Sequence, residues 1–420
     1  MKHVTLKSVH ARAVQLALVV PLVLVAAACG SAKPATPSEA SGTTTAAPSA
    51  TSAALTGAPV KFGWIDIEGD LGIDFTPQRK VAQAAVQQIN TAGGIGGHPV
   101  QLISCVTKAA SGGADCANQM IQDKVSLVLS FSTIDTSSIY PILKAAGIPL
   151  LGSGASPLNA PDLTPDGDHF FITAGALAQY AAGNVFISKT LKLKHIGVVV
   201  GSNSAAQQAA AVFVKAPLQA LGVKVDLATI SETNPDYTSA INAVYNTNGL
   251  MVLLTCSAQD AAVQQAVQLG YKGKIFGCGS AVDIHAMGSA AANVYSATQV
   301  IPATSPAFAN DPGVKAFIAF TAKYGTENSL FSEQAYALVQ AAEKAVITAG
   351  GPAATTAQIR TAIASSSHWQ IPLLSASGMT CSTVLSKIVP TGCNVDTMFV
   401  QVQPDLKSLK AISGFITAAG

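Results

Sequence analysis

Charged side chains are scarce in this 420-residue chain: Asp, Glu, Lys and Arg make up 11% of it, against about a quarter in an average soluble domain. The 24 basic and 22 acidic residues leave a formal charge of +2, and no run of like charge gathers them. Nothing in this balance attracts nucleic acid or forms a charged interaction tail. Catalytic signatures are also missing. There is no Gly-x-Ser-x-Gly elbow, no His-Glu-x-x-His and no P-loop. Gly152-Ser153-Gly154 and Gly277-Cys278-Gly279 both lack the third glycine of a dinucleotide fingerprint. No Cys-x-x-Cys occurs, and His98, His169, His195, His285 and His368 stand far apart, so neither a metal nor another cofactor is expected. These absences point away from an enzyme and toward a small-molecule partner.

The beginning of the chain carries a clear pattern. Lys2, Lys7 and Arg12 precede an apolar run from Ala13 to Ala28 that Pro21 interrupts. The run is shorter than the ~20 residues of a membrane-spanning helix. A basic head, a short apolar middle and the small residues Ala26, Ala27 and Ala28 read as a secretory signal peptide over residues 1–28. Cys29 and Gly30 follow directly. This junction resembles the lipobox of bacterial lipoproteins, with Ala26 where that pattern has Leu or Val. The resemblance implies lipidation of Cys29 and an extracytoplasmic, membrane-anchored protein; the alternative is an ordinary signal peptide with an incidental cysteine. Residues 31–58 are almost only Ser, Ala, Thr, Pro and Gly. They offer too little apolar surface to offset the entropy of ordering, so residues 29–58 are expected to be a disordered tether.

Seven cysteines are present, and setting Cys29 aside leaves six, an even number suited to disulfides in an oxidising compartment. Six cysteines allow fifteen connectivities. The expected set is sequential, Cys105–Cys116, Cys256–Cys278 and Cys381–Cys393, because each pair is close along the chain. Cys256 and Cys278 are expected to end consecutive strands and to bridge the rim of a pocket.

From Pro59 onward, short apolar runs alternate with helical patterns. Strands are expected at Val60–Ile65, Val100–Ile103, Leu127–Ser130 and Pro149–Gly152, with helices at Pro77–Thr91, Ala114–Asp123 and Ser137–Ala146 between them. The rhythm restarts with helices at Ala178–Leu191, at Ala205–Leu221 (bent or broken at Pro217), at Tyr237–Tyr245 and at Asp260–Leu269. The strands of this half are His195–Val200, Lys224–Leu227, Gly249–Leu254 and Lys274–Phe276. The predicted fold class is α/β, two doubly wound parallel-sheet lobes. Ligands of such sheets bind at the carboxyl ends of the strands.

Particular residues then resemble the type I periplasmic binding proteins, in the leucine/isoleucine/valine-binding branch of ABC transporter substrate-binding lipoproteins. They are Lys61-Phe62-Gly63, the helix running into Asn90-Thr91-Ala92-Gly93-Gly94-Ile95-Gly96-Gly97, Leu127–Thr133, Gly147–Leu151 with Ser153–Ser156, Pro235–Ile241, and the helical stretch around Tyr336. The resemblance covers about Pro59 to Val402. It implies a three-strand hinge, a first lobe of residues 59–174 and 302–372, and a second lobe of 175–301 and 373–420. It also implies a monomer that takes a small solute in the cleft and delivers it to ABC permease and ATPase subunits. A ligand-sensing receptor not coupled to transport is the alternative.

Candidate ligand-binding residues are Trp64, Ser132, Thr133, Ala155 and Ser156 from the first lobe, and Asn203, Ser257, Gly279 and Asp283 from the second. Small and hydroxylated residues admit close backbone approach and offer N–H and O–H groups to a ligand's oxygens. Trp64 reads equally as a cleft wall or as core. Relatives that bind α-amino acids carry an acid after the strand matching Lys274–Phe276. Here Gly277-Cys278-Gly279-Ser280 follow, and the next acid is Asp283, which puts a zwitterionic amino acid in doubt. Asp236 is expected to cap a helix; Asp260 is either a substitute for the missing acid or a helix-start residue.

Overall fold

The apolar runs become strands of two largely parallel sheets in a computed structural model of the chain. It describes residues 55–69, 74–108, 111–132, 135–156, 160–231, 233–254, 256–277 and 287–417. The signal peptide, Cys29 and the tether as far as residue 54 lie outside the described residues.

The first sheet contains β1 (Val60–Ile67), β2 (Val100–Thr107), β3 (Leu127–Ser132), β4 (Leu150–Gly154) and β5 (His169–Thr173), all parallel, in the order β2-β1-β3-β4-β5. The second contains β6 (His195–Gly201), β7 (Lys224–Ile230), β8 (Gly249–Leu253), β9 (Lys274–Phe276) and β10 (Tyr295–Thr298) in the parallel order β10-β9-β8-β6-β7. Beyond β10 it gains β11 (Asp396–Val402) and β12 (Leu409–Ala411), both antiparallel, and β13 (Ile416–Thr417) pairs with β11. Counted from its own first strand, each sheet has the order 2-1-3-4-5. In this doubly wound arrangement the crevice lies outside the carboxyl ends, between the first and third strands.

Parallel neighbours require crossover helices, and the sequence shows why the first of them stops where it does. Helix α1 (Thr76–Thr91) starts with Pro77 in its first turn and buries Val81, Ala82, Ala85, Val86 and Ile89. Gly94, at φ +66°, ends it by donating its N–H to the Ile89 carbonyl over 2.9 Å. A Cβ at Gly94 would lie 2.1 Å from the His98 carbonyl oxygen, so glycine is required there. The Asn90 side chain then donates to the Val100 carbonyl and accepts from the Val100 N–H, at 2.9 and 2.7 Å, fastening the helix end to β2.

Helix α2 (Gly113–Gln122), which precedes α3 (Thr136–Ala145), is tied to β2 by the Cys105–Cys116 disulfide, and Cys381 is joined to Cys393, as the sequential pairing expects. Cys278 lies outside the described residues. Cys256 opens helix α8 (Cys256–Gln268) instead of ending β8, whose last residue is Leu253. Replacing Cys105 and Cys116 together with serine is expected to cost about 2–4 kcal/mol, read as a lower urea midpoint. A double variant that unfolds at the wild-type midpoint would refute that contribution.

The break expected at Pro217 appears one turn earlier, as a π-helical segment at Ala211–Lys215 between α5 (Ser204–Ala210) and α6 (Ala216–Ala220). Proline has no N–H for the carbonyl four residues back. That carbonyl belongs to Phe213, and it accepts instead from Asn184 Nδ2 at 2.8 Å. Asn184 lies on α4 (Gly175–Val185), which itself gives way to a π-helical segment at Phe186–Thr190.

The chain passes between the sheets three times: at residues 173–175, at 298–312 and at 394–396. The helices Pro312–Tyr324, Leu330–Thr348 and Thr356–Ala364 return to the first sheet, where Phe317, Phe320, Leu338 and Ile359 share a core with Phe62 and Leu129. The third passage comes later than the expected residue 372. Residues 391–394 run beside β5, with Phe171 N–H donating to Thr391 O (3.0 Å), Cys393 N–H to Phe171 O (2.8 Å) and Ala174 N–H to Asn394 O (2.7 Å). These bonds satisfy the free edge of β5 and keep residues up to Asn394 with the first sheet.

Candidate functional site

Each side chain at the carboxyl end of β1 is set by strand alternation, which places Phe62, Trp64 and Asp66 on one face. Between β1 and β3 the register slips by one residue: Ile65 faces Ser130 whereas Asp66 faces Ser132, so Phe131 is the extra residue of a bulge. Bulges re-aim side chains and gather beside functional sites. Here the bulge stands at the first–third strand junction where the crevice belongs. Trp64 stacks on Phe131 with centroids 6.0 Å apart. Phe131 in turn meets Phe75, at the start of α1, and Phe331 edge-on at 5.1 and 5.8 Å.

Asp66 is fully buried within this arrangement. Its Oδ2 accepts from Trp64 Nε1 at 2.7 Å, and its Oδ1 has no hydrogen-bond partner. Burial pushes the carboxyl up to about 7; the Trp64 hydrogen bond and Arg79 oppose this, while Glu68 and Asp74 add to it. The neighbouring charges are already matched. Arg79 Nε and Nη2 both donate to Glu68, the latter over 3.1 Å, and this hydrogen bonding holds the Glu68 carboxyl below its usual range. Thr76 Oγ1 lies 2.9 Å from Glu68 Oε2 and 2.6 Å from Asp74 Oδ1. The site therefore holds a buried carboxylate with one unbonded oxygen.

The sequence placed the end of β1 at Ile65 and left Asp66 outside the candidate set. The available signal was an acid late in a largely apolar strand, VKFGWIDI. Trp64 itself is core and not a cleft wall: it has no exposed surface, and its indole N–H is spent on Asp66.

The Ala155–Ser156 loop is fastened to Asp162. The Ser156 N–H, expected to meet ligand, donates to Asp162 Oδ2 at 2.9 Å. Asp162 also accepts from Tyr140 Oη (2.8 Å), and its carbonyl accepts from Thr391 Oγ1. Burial first, then Asp162, raises the Tyr140 phenol well above its ordinary value. Ala155 is buried against the first passage between the sheets. Ser153 Oγ donates to Phe131 O and Thr173 Oγ1 to Ser153 O, tying β3, β4 and β5 together at the bulge.

In the second lobe Asn203 caps α5, its side chain accepting from Ala206 N–H at 2.8 Å. Asp236 caps helix α7 (Tyr237–Ala243) through Ser239 N–H at 2.9 Å, as expected. Ser257 lies in the first turn of α8, and Asp260 is buried one turn further on instead of starting the helix. Ser132 closes β3. Thr133, Gly279 and Asp283 lie outside the described residues. Glu333, in the first turn of the Leu330–Thr348 helix, was not singled out in the sequence. It is fully buried, its Oε1 accepts from Ala303 N–H at 2.7 Å on the second passage, and burial raises its carboxyl well above the usual range. Among the described residues no group of three or more His, Cys, Asp or Glu converges as metal ligands do.

A family model described as periplasmic binding protein matches residues 59–383. The fold is similar to a leucine-binding protein from Thermotoga maritima, at 18% identity and a TM-score of 0.67 over 85% of this chain and 99% of that one. It is similar to a branched-chain amino acid transporter substrate-binding protein from Streptococcus pneumoniae in complex with isoleucine, at 20% identity and 0.68 over 84% and 99%. It also resembles an ABC transporter solute-binding protein from R. palustris in complex with benzoate, at 16% identity and 0.68 over 86% and 96%. No curated protein sequence matches the chain. The family model spans most of the chain, and both sheets have the strand order that places a crevice at their carboxyl ends: the chain belongs to the periplasmic binding protein family.

Proposed function

We propose that the protein is an extracytoplasmic solute-binding lipoprotein that captures a small polar solute between its lobes and delivers it to the permease and ATPase of an ABC importer. The observation that carries this reading is the repeated 2-1-3-4-5 sheet order joined by three passages of chain. That architecture suits hinge closure on a ligand held at the strand ends. In this reading the first lobe comprises residues 59–174 and 302–394, and the second the remainder of the folded chain. Lipid on Cys29 keeps the receptor at the membrane, and residues 29–58 give it reach. Isoleucine and benzoate, bound by two of the structural relatives, are both small carboxylates and mark the size class.

A thermal-shift series with amino acids, amides, urea and small carboxylic acids tests the reading. A solute present at ~100 times its Kd stabilises the folded state by about 2.7 kcal/mol and raises Tm by several degrees. A cooperative melt that none of these solutes moves would count against capture of this solute class.

A further inference from the structure

The unbonded oxygen of Asp66 goes beyond a general solute pocket and, resting on the reading just given, narrows the class of solute. A buried polar atom without a partner costs free energy in the folded state, and on a carboxylate a proton, an ion or a ligand's donor relieves that cost. Asp66 Oδ1 is such an atom, on a side chain with no exposed surface. It sits at the carboxyl end of the first strand, directly beside the β3 bulge. Arg79, the cation whose field reaches Asp66, directs Nε and Nη2 at Glu68 and leaves Asp66 without a counter-charge. Trp64 supplies one neutral hydrogen bond to the other oxygen and places its ring, stacked with Phe131, beside the carboxylate. A desolvated acid without a counter-charge favours a cation.

We infer that the solute carries a protonated amine, and that Asp66 is the residue that reads it, through Oδ1, from the first lobe. The amine donates to Oδ1 and neutralises the carboxylate, and the carboxylate or other polar end of the solute points away from the acids. Because Asp66 has no exposed surface in the structure described, amine entry requires the surrounding side chains to move with the opening of the lobes.

The test is a set of matched titrations of the full chain, followed by thermal shift and by Trp64 emission in a Trp369→Phe background. Leucine, 4-aminobutanoate and putrescine are each compared with the counterpart lacking the amine: 4-methylpentanoate, butanoate and butane-1,4-diol. At least one amine is expected to bind roughly 10–100-fold tighter than its counterpart and to shift Trp64 emission. Asp66→Asn should abolish that preference. Its melt, at least as high as wild type at pH 8, shows that it is folded. Equal binding of an amine and its counterpart, or a preference that survives in Asp66→Asn, overturns the inference and leaves solute capture standing. Failure of every probe to bind the wild-type chain overturns both the inference and the reading it rests on.

Discussion

Asp66→Asn is expected to leave stability nearly unchanged at pH 4 and to raise it by about 4 kcal/mol at pH 8. In the folded protein burial holds the Asp66 carboxyl at about 7, whereas an unfolded aspartate titrates near ~3.9. Between these values the unfolded chain releases a proton that the folded chain retains, so wild-type stability falls as pH rises through this window. Above about pH 7 both states are ionised and the loss is complete. Three pH units at about 1.4 kcal/mol each set the size of the effect. Asparagine keeps the acceptor for Trp64 Nε1 and removes the charge. Urea midpoints of the two proteins at pH 4, 6 and 8 check the claim. Parallel stability profiles would mean that Asp66 is paired or solvated in solution, and the unpartnered oxygen would lose its significance.

Gly175→Ala is expected to lower stability by more than about 3 kcal/mol, as large as truncating a core side chain. Gly175 ends the first passage between the sheets and has φ +64°. Left-handed backbone alone costs a residue with a side chain about 1–2 kcal/mol. In addition, a Cβ at this position would lie 2.0 Å from the Ala155 carbonyl oxygen and 2.7 Å from the Ala155 nitrogen. Backbone atoms cannot rotate away as a long side chain would. The passage is further held by the Ala174–Asn394 hydrogen bond and by Gly392, whose added Cβ would lie 2.7 Å from that of Ala174. Relief of the clash must therefore displace the first and third passages together. Gly147→Ala is the control: φ there is +67° and nothing stands within 4 Å of the added Cβ, so only the backbone cost of about 1–2 kcal/mol applies. Equal losses at the two positions would show that the passage yields freely.

Much of the fold was legible because its signals are local. The valines of His195–Gly201, the apolar spacing from Val81 to Ile89 and the glycines after Thr91 state strand, helix and stop within windows of a few residues. Pro217 announced a broken helix, yet the break sits at Ala211–Lys215, and the group that relieves it, Asn184, lies some thirty residues upstream on another helix. β5 escaped notice because its apolar run is only Phe170 to Ile172, and its pairing with Gly392 joins distant parts of the chain.

The site was less legible for the same reason. A serine in a loop advertises an N–H and a hydroxyl, but only packing shows that the Ser156 N–H belongs to Asp162. An aspartate after an apolar run reads as a loop residue until β1 is seen to continue past it beside the β3 bulge. The sequence by itself determined the α/β alternation and the glycine stop of α1, and it made Cys105–Cys116 and Cys381–Cys393 the expected pairs among fifteen possible connectivities. Each depends on residues near one another in the chain. Strand order, the late third passage at Asn394 and the burial of Asp66 with one oxygen unbonded were decided by the tertiary structure. Desolvation and hydrogen-bond satisfaction depend on what distant segments place around an atom, which no local window of sequence contains.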